Sequence, residues 1–244
     1  MIELRDIVVE LGGHRVLNGL SLSLNEGETT VIVGPSGGGK TVTVKTIEGL
    51  IRPRCGQVLI DGADMFALRR GDRRELRKKL SMLFQGAALF DSLSVFQNVA
   101  LPLVEHTKRP LDEIREIVGQ KLALVGLPEA GETMPGDLSG GMRKRVGLAR
   151  AIVLEPKYII YDEPTTGLDP ATAHGINELI VNLKRTLSLT SIVITHDLEC
   201  MEQVGDRILM LLGGVIAFDG TFTEFMACPR PEIRVYQEQW GRRN

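Results

Sequence analysis

Apolar positions along this 244-residue chain come as short β-branched runs separated by segments of helical period. Ile2 to Val9 alternates imperfectly and reads as a strand, and Gly12-Gly13 reads as a turn. Leu20-Ser21-Leu22-Ser23-Leu24 alternates strictly, the pattern of a half-buried strand. Thr29 to Val33 is a short β-branched run and Leu80 to Phe84 and Tyr158 to Asp162 are largely apolar; all three predict buried strands, and Ser191 to Thr195 and Gly56 to Ile60 predict two more strands. Arg207 to Leu212 and Val215 to Asp219 close the series, with a short helix before them and a polar tail behind.

Between these runs the period changes. A helix opens at Val42 and closes near Gly49, and a charged one spans Asp72 to Lys79. Ser94 to His106 is helical with a kink expected at Pro102. Ile114, Ile117, Val118, Leu122 and Val125 form one face of a helix over Asp112 to Val125. Ser139 caps a helix that places Met142, Val146, Ala149 and Val153 on one side. Pro170 starts another, with Ile176, Leu179, Ile180, Leu183 and Leu187 at helical spacing. Strands alternating with helices imply an α/β core built on a mainly parallel sheet. The opening hairpin adds an antiparallel β part, and residues 86–137 read as a helical insertion. The expected layout is one domain over 1–244. Its core is 1–85 and 155–227, its helical part 86–154, and its tail 228–244.

Composition narrows the classes. The apolar fraction of 43% supports a sizeable core, and a net charge of -2 gives no basic field for nucleic acid. The first residues carry no secretory pattern, and the longest apolar stretch, Ile208 to Phe218, is interrupted by Gly213 and Gly214. Cys55, Cys200 and Cys228 are far apart and lack metal spacing, so they read as reduced thiols. A soluble cytoplasmic chain is expected.

The candidate chemistry centres on Gly34-Pro35-Ser36-Gly37-Gly38-Gly39-Lys40-Thr41, which fits G-x-x-x-x-G-K-[ST] between a strand and a helix. Glycines let successive N–H groups converge on one anion, and the helix start adds partial positive charge. Lys40 would reach the β- and γ-phosphates, and the Thr41 hydroxyl would bind Mg2+. Asp162 and Glu163 end an apolar strand; Asp162 would anchor the metal and Glu163 would polarise the attacking water. Without the phosphate loop they would read as a solvated acidic turn; with it, the functional reading is preferred. Gln85 at a strand end would sense Mg2+ or that water, or be a surface amide. His196 would contact the γ-phosphate, or be structural. Leu138-Ser139-Gly140-Gly141-Met142 is a second Gly-rich helix start, hence a second phosphate site. One nucleotide hardly needs both in one chain. A symmetric dimer, with the loop of one copy facing Ser139 of the other, uses both.

These motifs, in this order, resemble the nucleotide-binding subunit of an ABC transporter over Ile2 to about Phe225. The phosphate loop matches Walker A, Gln85 the Q-loop, Ser139 to Met142 the signature, Tyr158 to Glu163 Walker B, Asp169 the D-loop, and His196 the switch histidine. The resemblance implies the ABC ATPase fold on a P-loop NTPase core. It also implies ATP and Mg2+ as cofactors, a homodimer closed on ATP, and a separate integral membrane permease at the cytoplasmic face of the inner membrane. Ser81 to Phe90, Val95 to Ala100 and Met142 are similar to the lipid-transporting branch of Mla and Mce systems. That implies an MlaE-like permease, a Mce-domain lipid-binding protein and a small regulatory subunit. The chain departs from the family at three positions. Leu11 stands where an adenine-stacking aromatic is frequent, Val42 lacks the hydroxyl that would reach the α-phosphate, and Met142 lacks the usual signature amide. A non-lipid transporter ATPase is the nearest alternative. A soluble ABC-type ATPase on nucleic acid or ribosomes would need the basic stripe this chain lacks. A P-loop kinase leaves Ser139 to Met142 unexplained. The tail, with Tyr236 and Trp240, is expected to dock on the core or on the partner copy.

Overall fold

The computed structural model describes residues 1–241. β1 (Ile2–Leu11) and β2 (His14–Leu24) form the expected hairpin, and β4 (Cys55–Ile60) and β5 (Ala63–Asp64) complete an antiparallel sheet of order β2-β1-β4-β5. The second sheet has six strands. β6 (Leu80–Leu83), β7 (Tyr158–Asp162), β8 (Thr190–Ile194), β3 (Thr29–Val33) and β9 (Arg207–Leu212) run parallel, and β10 (Val215–Gly220) pairs antiparallel with β9 at one edge.

The central strands do not alternate apolar with polar, because both faces of this sheet are covered. Successive side chains enter different cores. Val31, Val33, Ile159, Tyr161 and Val193 pack on the helical side. Ile32, Tyr158, Ile160, Ile192 and Ile194 pack toward the antiparallel sheet. The helical side is formed by α3 (Val95–His106), α4 (Leu111–Leu124), α5 (Gly140–Ile152) and α6 (Pro170–Leu187), with α7 (Leu198–Val204) beside α6. α1 (Lys40–Ile47) follows β3 and buries Val44 and Ile47 on the antiparallel side. α2 (Arg70–Arg77) is charged and buries only Leu76.

α3 is the helix expected over Ser94 to His106, with Pro102 inside it and its start closed by a Ser94–Gln97 capping box. Two expectations change. β6 is an edge strand with only Leu83 buried, and Phe84 after it is exposed. The polar tail is folded: after α8 (Phe222–Ala227), α9 (Pro231–Gly241) buries Ile233 completely, and Gln237 donates to the Phe225 carbonyl. The side chains of Tyr236 and Trp240, expected to anchor the tail, lie outside the described residues.

The two sheets are tied at a polar seam. Asp61, in the β4–β5 turn, accepts from the Tyr158 hydroxyl at 2.5 Å, from Lys79 at 2.7 Å and from Lys157 at 2.8 Å. Burial alone would raise its carboxyl, but these donors outweigh it and hold the group well below the usual carboxylate range. Among the described residues, no helix is long and apolar enough to cross a membrane.

Candidate functional site

The loop between β3 and α1 follows closely from its sequence. Gly34 has φ +147°, and a Cβ there would sit 2.3 Å from the Leu211 carbonyl oxygen on β9, so no larger residue fits. Gly38 donates to Pro35 at 3.0 Å and closes the turn. Gly39 is left-handed at φ 101° and leaves the start of α1 without a side-chain cap. Side chains do cap α3, α5, α6, α7 and α8 through Ser94, Ser139, Asp169, Asp197 and Thr221. The leading N–H groups of α1 therefore have no acceptor of that kind, as an anion site requires. Val16, Gly37, Gly38, Gly39, Lys40, Thr41 and Val42 line a cavity of about 280 Å³ beside them. Ser36 and Thr41 are exposed.

Lys40 turns back on its own loop, donating to Gly34 at 2.7 Å and Pro35 at 3.1 Å. Burial lowers its pKa, opposed by the charges of Glu163 and Asp162. Lys40 thus shares an electrostatic field with the end of β7, as the parallel order β3-β8-β7 requires.

At that end Asp162 is half-buried. Burial, then repulsion from Glu163, pushes its carboxyl up, against Lys144, Lys40 and Lys45. Glu163 is left-handed at φ 49°, a conformation a non-glycine residue holds only when its surroundings enforce it. Its N–H donates to Ile194 on β8 at 2.8 Å. Its carboxylate lies 2.8 Å from His196 Nδ1 and accepts from the Thr166 hydroxyl at 2.9 Å. The carboxylate and the imidazole, brought by neighbouring strands, form a pair that no spacing rule in the sequence announces.

Gln85 is exposed after β6, and its carbonyl is held by Lys144 of α5, which also donates to the Glu163 carbonyl at 2.9 Å. Ser139 caps α5 by accepting from the Met142 N–H at 3.2 Å, and Met142 packs against the helical core. Asp169 caps α6, accepting from the Thr172 N–H at 3.0 Å and hydroxyl at 2.6 Å; that hydroxyl holds its carboxyl below the usual range. Gly140 lies against Leu168. Gly141 fits because a Cβ would meet the Thr172 methyl at 2.4 Å. Gly141→Ala is expected to cost about 1–3 kcal/mol, and adding Thr172→Ser, which removes that methyl and keeps the Asp169 bond, should restore most of it. Thermal unfolding of the single and double variants checks this.

The structure thus brings together Lys40, Asp162, Glu163 and His196, and joins Gln85 to them through Lys144. Ser139, Gly140, Gly141 and Met142 line no part of the cavity beside Lys40. Thr166, Val16 and Lys144 were not expected. Only Lys144 carried a signal: Gly141, Lys144, Leu148 and Ile152 share one buried face at helical spacing.

Comparison with known proteins agrees with this site. The ABC transporter family matches residues 17–166. The chain is 41% identical over 237 residues to the "Intermembrane phospholipid transport system ATP-binding protein MlaF" of Haemophilus influenzae, covering 97% of this chain and 89% of that protein. It is 39% identical over 235 residues to the "Probable ribonucleotide transport ATP-binding protein mkl" of Mycobacterium tuberculosis, covering 96% of this chain but only 66% of mkl. The fold matches cbiO1 from Clostridium perfringens at a TM-score of 0.86 and 31% identity, covering 93% of this chain and 90% of that one. It also matches the cassette MJ0796, solved as a dimer with ADP and Pi, at 0.81 and 30%, covering 91% and 99%. The phosphate loop, the strand-end carboxylates and these likenesses place the chain in the ABC transporter family, as an ABC-type ATPase.

Proposed function

We propose that the chain is the ATP-hydrolysing subunit of a transporter that moves phospholipid or another lipid between inner and outer membranes. The observation that carries the hydrolytic roles is the Glu163 carboxylate, held by His196 and Thr166 in the field of Lys40. Glu163 takes the proton of the attacking water, and His196 orients Glu163 and meets the γ-phosphate. Gly34 to Val42, with Lys40, cradle the phosphates.

The site fits Mg2+ as well. Asp162 and Glu163 bring two carboxylates together, and burial with repulsion from Glu163 raises the Asp162 carboxyl despite three nearby lysines, a concentration of negative charge that a cation would relieve. Thr41, Asp162 and Gln85 would hold the ion, which when bound neutralises charge on the phosphates. Two copies would complete each other's pocket, with Ser139 to Met142 and Asp169 of one facing the loop of the other. MJ0796, which was solved as a dimer, supports that arrangement.

On the helical side, Met82, Phe84, Phe90, Leu101 and Pro102 line a groove of about 490 Å³, in which Phe84 and Phe90 are exposed. This groove is the seat for an MlaE-like permease, and the chain sits on the cytoplasmic face of the inner membrane. A Mce-domain protein and a small regulatory subunit complete the assembly. The lipid reading rests on identity to MlaF, whereas mkl carries a name pointing to ribonucleotides. ATPase assays on the chain with its permease in vesicles separate the two. Stimulation of several-fold by phospholipid and none by ribonucleotides is expected. The reverse pattern contradicts the lipid reading.

A further inference from the structure

Lys144 is a lysine only 4% exposed, on α5, five residues beyond Ser139. A buried ammonium persists only when its donors are used and its charge is met. Its donors reach the main-chain oxygens of Gln85 and, at 2.9 Å, of Glu163. Burial lowers its pKa, and the charges of Glu163 and Asp162 oppose that shift. The two oxygens belong to segments leaving β6 and β7, which pair in register up to Leu83 and Tyr161.

Both segments are strained. Glu163 is left-handed, and so are Ala87 and Ala88 at φ 60° and 47°. A second cation of the same helix, Arg150, donates to Ala87 at 2.6 Å and to Ala88 at 2.8 Å. The segment from Gln85 to Ala88 is therefore fastened to α5 at two points. It leads from Phe84 to Phe90, the exposed aromatics of the groove. Of the two fastenings, Lys144 is the one that also grips Glu163.

We infer that Lys144 is a positioning residue for hydrolysis: it fixes the main chain of Glu163 against the groove loop, so that whatever moves the loop moves the carboxylate. This rests on the assignment of Glu163 as the base. The bond to Ile194 and the bonds to His196 and Thr166 hold the other sides of Glu163. Losing the Lys144 contact leaves the peptide free to rotate while the phosphate loop stays intact. A misplacement of about 1 Å is enough to slow a reaction on the order of 100-fold.

The test is steady-state ATPase kinetics on Lys144→Met, with Lys121→Met as comparator. Lys121, on α4, is another lysine only 7% exposed, and it is paired with Glu155 beyond the end of α5. Lys144→Met should lower kcat about tenfold or more while KM for ATP stays within about twofold. Lys121→Met should leave both within about twofold. Amide exchange should quicken in Lys144→Met at residues 85–89 and 163–166 together, and not along α4. Should Lys144→Met fail to fold, Lys144→Gln keeps one neutral donor and is read by the same split. Wild-type kcat, or a loss that only tracks the folded fraction, overturns the inference. Glu163→Gln, assayed alongside, separates the causes. Full turnover there removes the base assignment itself, whereas a silent Glu163→Gln with an active Lys144→Met removes only the role of Lys144.

Discussion

Glu163→Gln lowers ATP turnover about 100-fold or more and leaves nucleotide binding intact. Glutamine keeps the size of the side chain and still accepts from Thr166, which in the native chain donates at 2.9 Å. It cannot take a proton from water, and a positioned general base accounts for roughly 10²–10⁴ in rate. The phosphate loop is untouched, because Lys40 bonds to Gly34 and Pro35 and not to Glu163. Replacing the charge also removes repulsion between Glu163 and the anionic phosphates, so affinity for ATP should rise if it changes at all. Phosphate release in a single turnover measures the first effect, and size-exclusion chromatography with ATP measures the trapped closed dimer. Undiminished turnover would remove Glu163 from the chemistry.

Ser139→Arg has a comparable effect by a different route. Ser139 is exposed, and within its own chain it only caps α5, a contact whose loss costs about 1 kcal/mol. The chain therefore folds and, through its intact loop, binds nucleotide. Turnover should nonetheless fall about 100-fold or more, because an arginine fills the space where the helix start meets the partner's nucleotide. Equilibrium binding of a fluorescent nucleotide alongside ATPase assays reads both halves of this expectation.

The parts of the fold that were plain in the sequence are those with one physical cause. β3, β7 and β8 are buried on both faces, so each carries consecutive apolar residues: Val31 to Val33, Tyr158 to Tyr161 and Ile192 to Ile194. The strand-to-helix position of Gly34 to Thr41 was equally plain. β6 was misread because an edge strand of a parallel sheet carries a similar run, Leu80 to Phe84, with only one residue buried. α3 was plain as well: Ser94 to His106 reads as one helix that holds Pro102 within it. α9 was hidden because its sequence is mostly polar; among the described residues Ile233 packs into the core. α8 carried a signal that was passed over, the Thr221–Glu224 capping box. In the site, each residue type and strand end could be read. The Glu163–His196 pair could not, because its members are 33 positions apart on separate strands. Lys144 is flanked by Arg143 and Arg145, and three consecutive cations do not show which of them is buried.

The central claim is that each ATP lies between the phosphate loop of one copy and Ser139 of the other. Mixing Lys40→Ala chains with Ser139→Arg chains tests it most directly. Each variant alone is inactive. In a random mixture half the dimers are mixed, and each mixed dimer has one intact site of two, joining the loop of the Ser139→Arg chain to Ser139 of the Lys40→Ala chain. The account predicts recovery to about a quarter of wild-type ATPase activity if the sites act independently. A mixture as inactive as its two components would contradict a shared pocket whose two sites act independently.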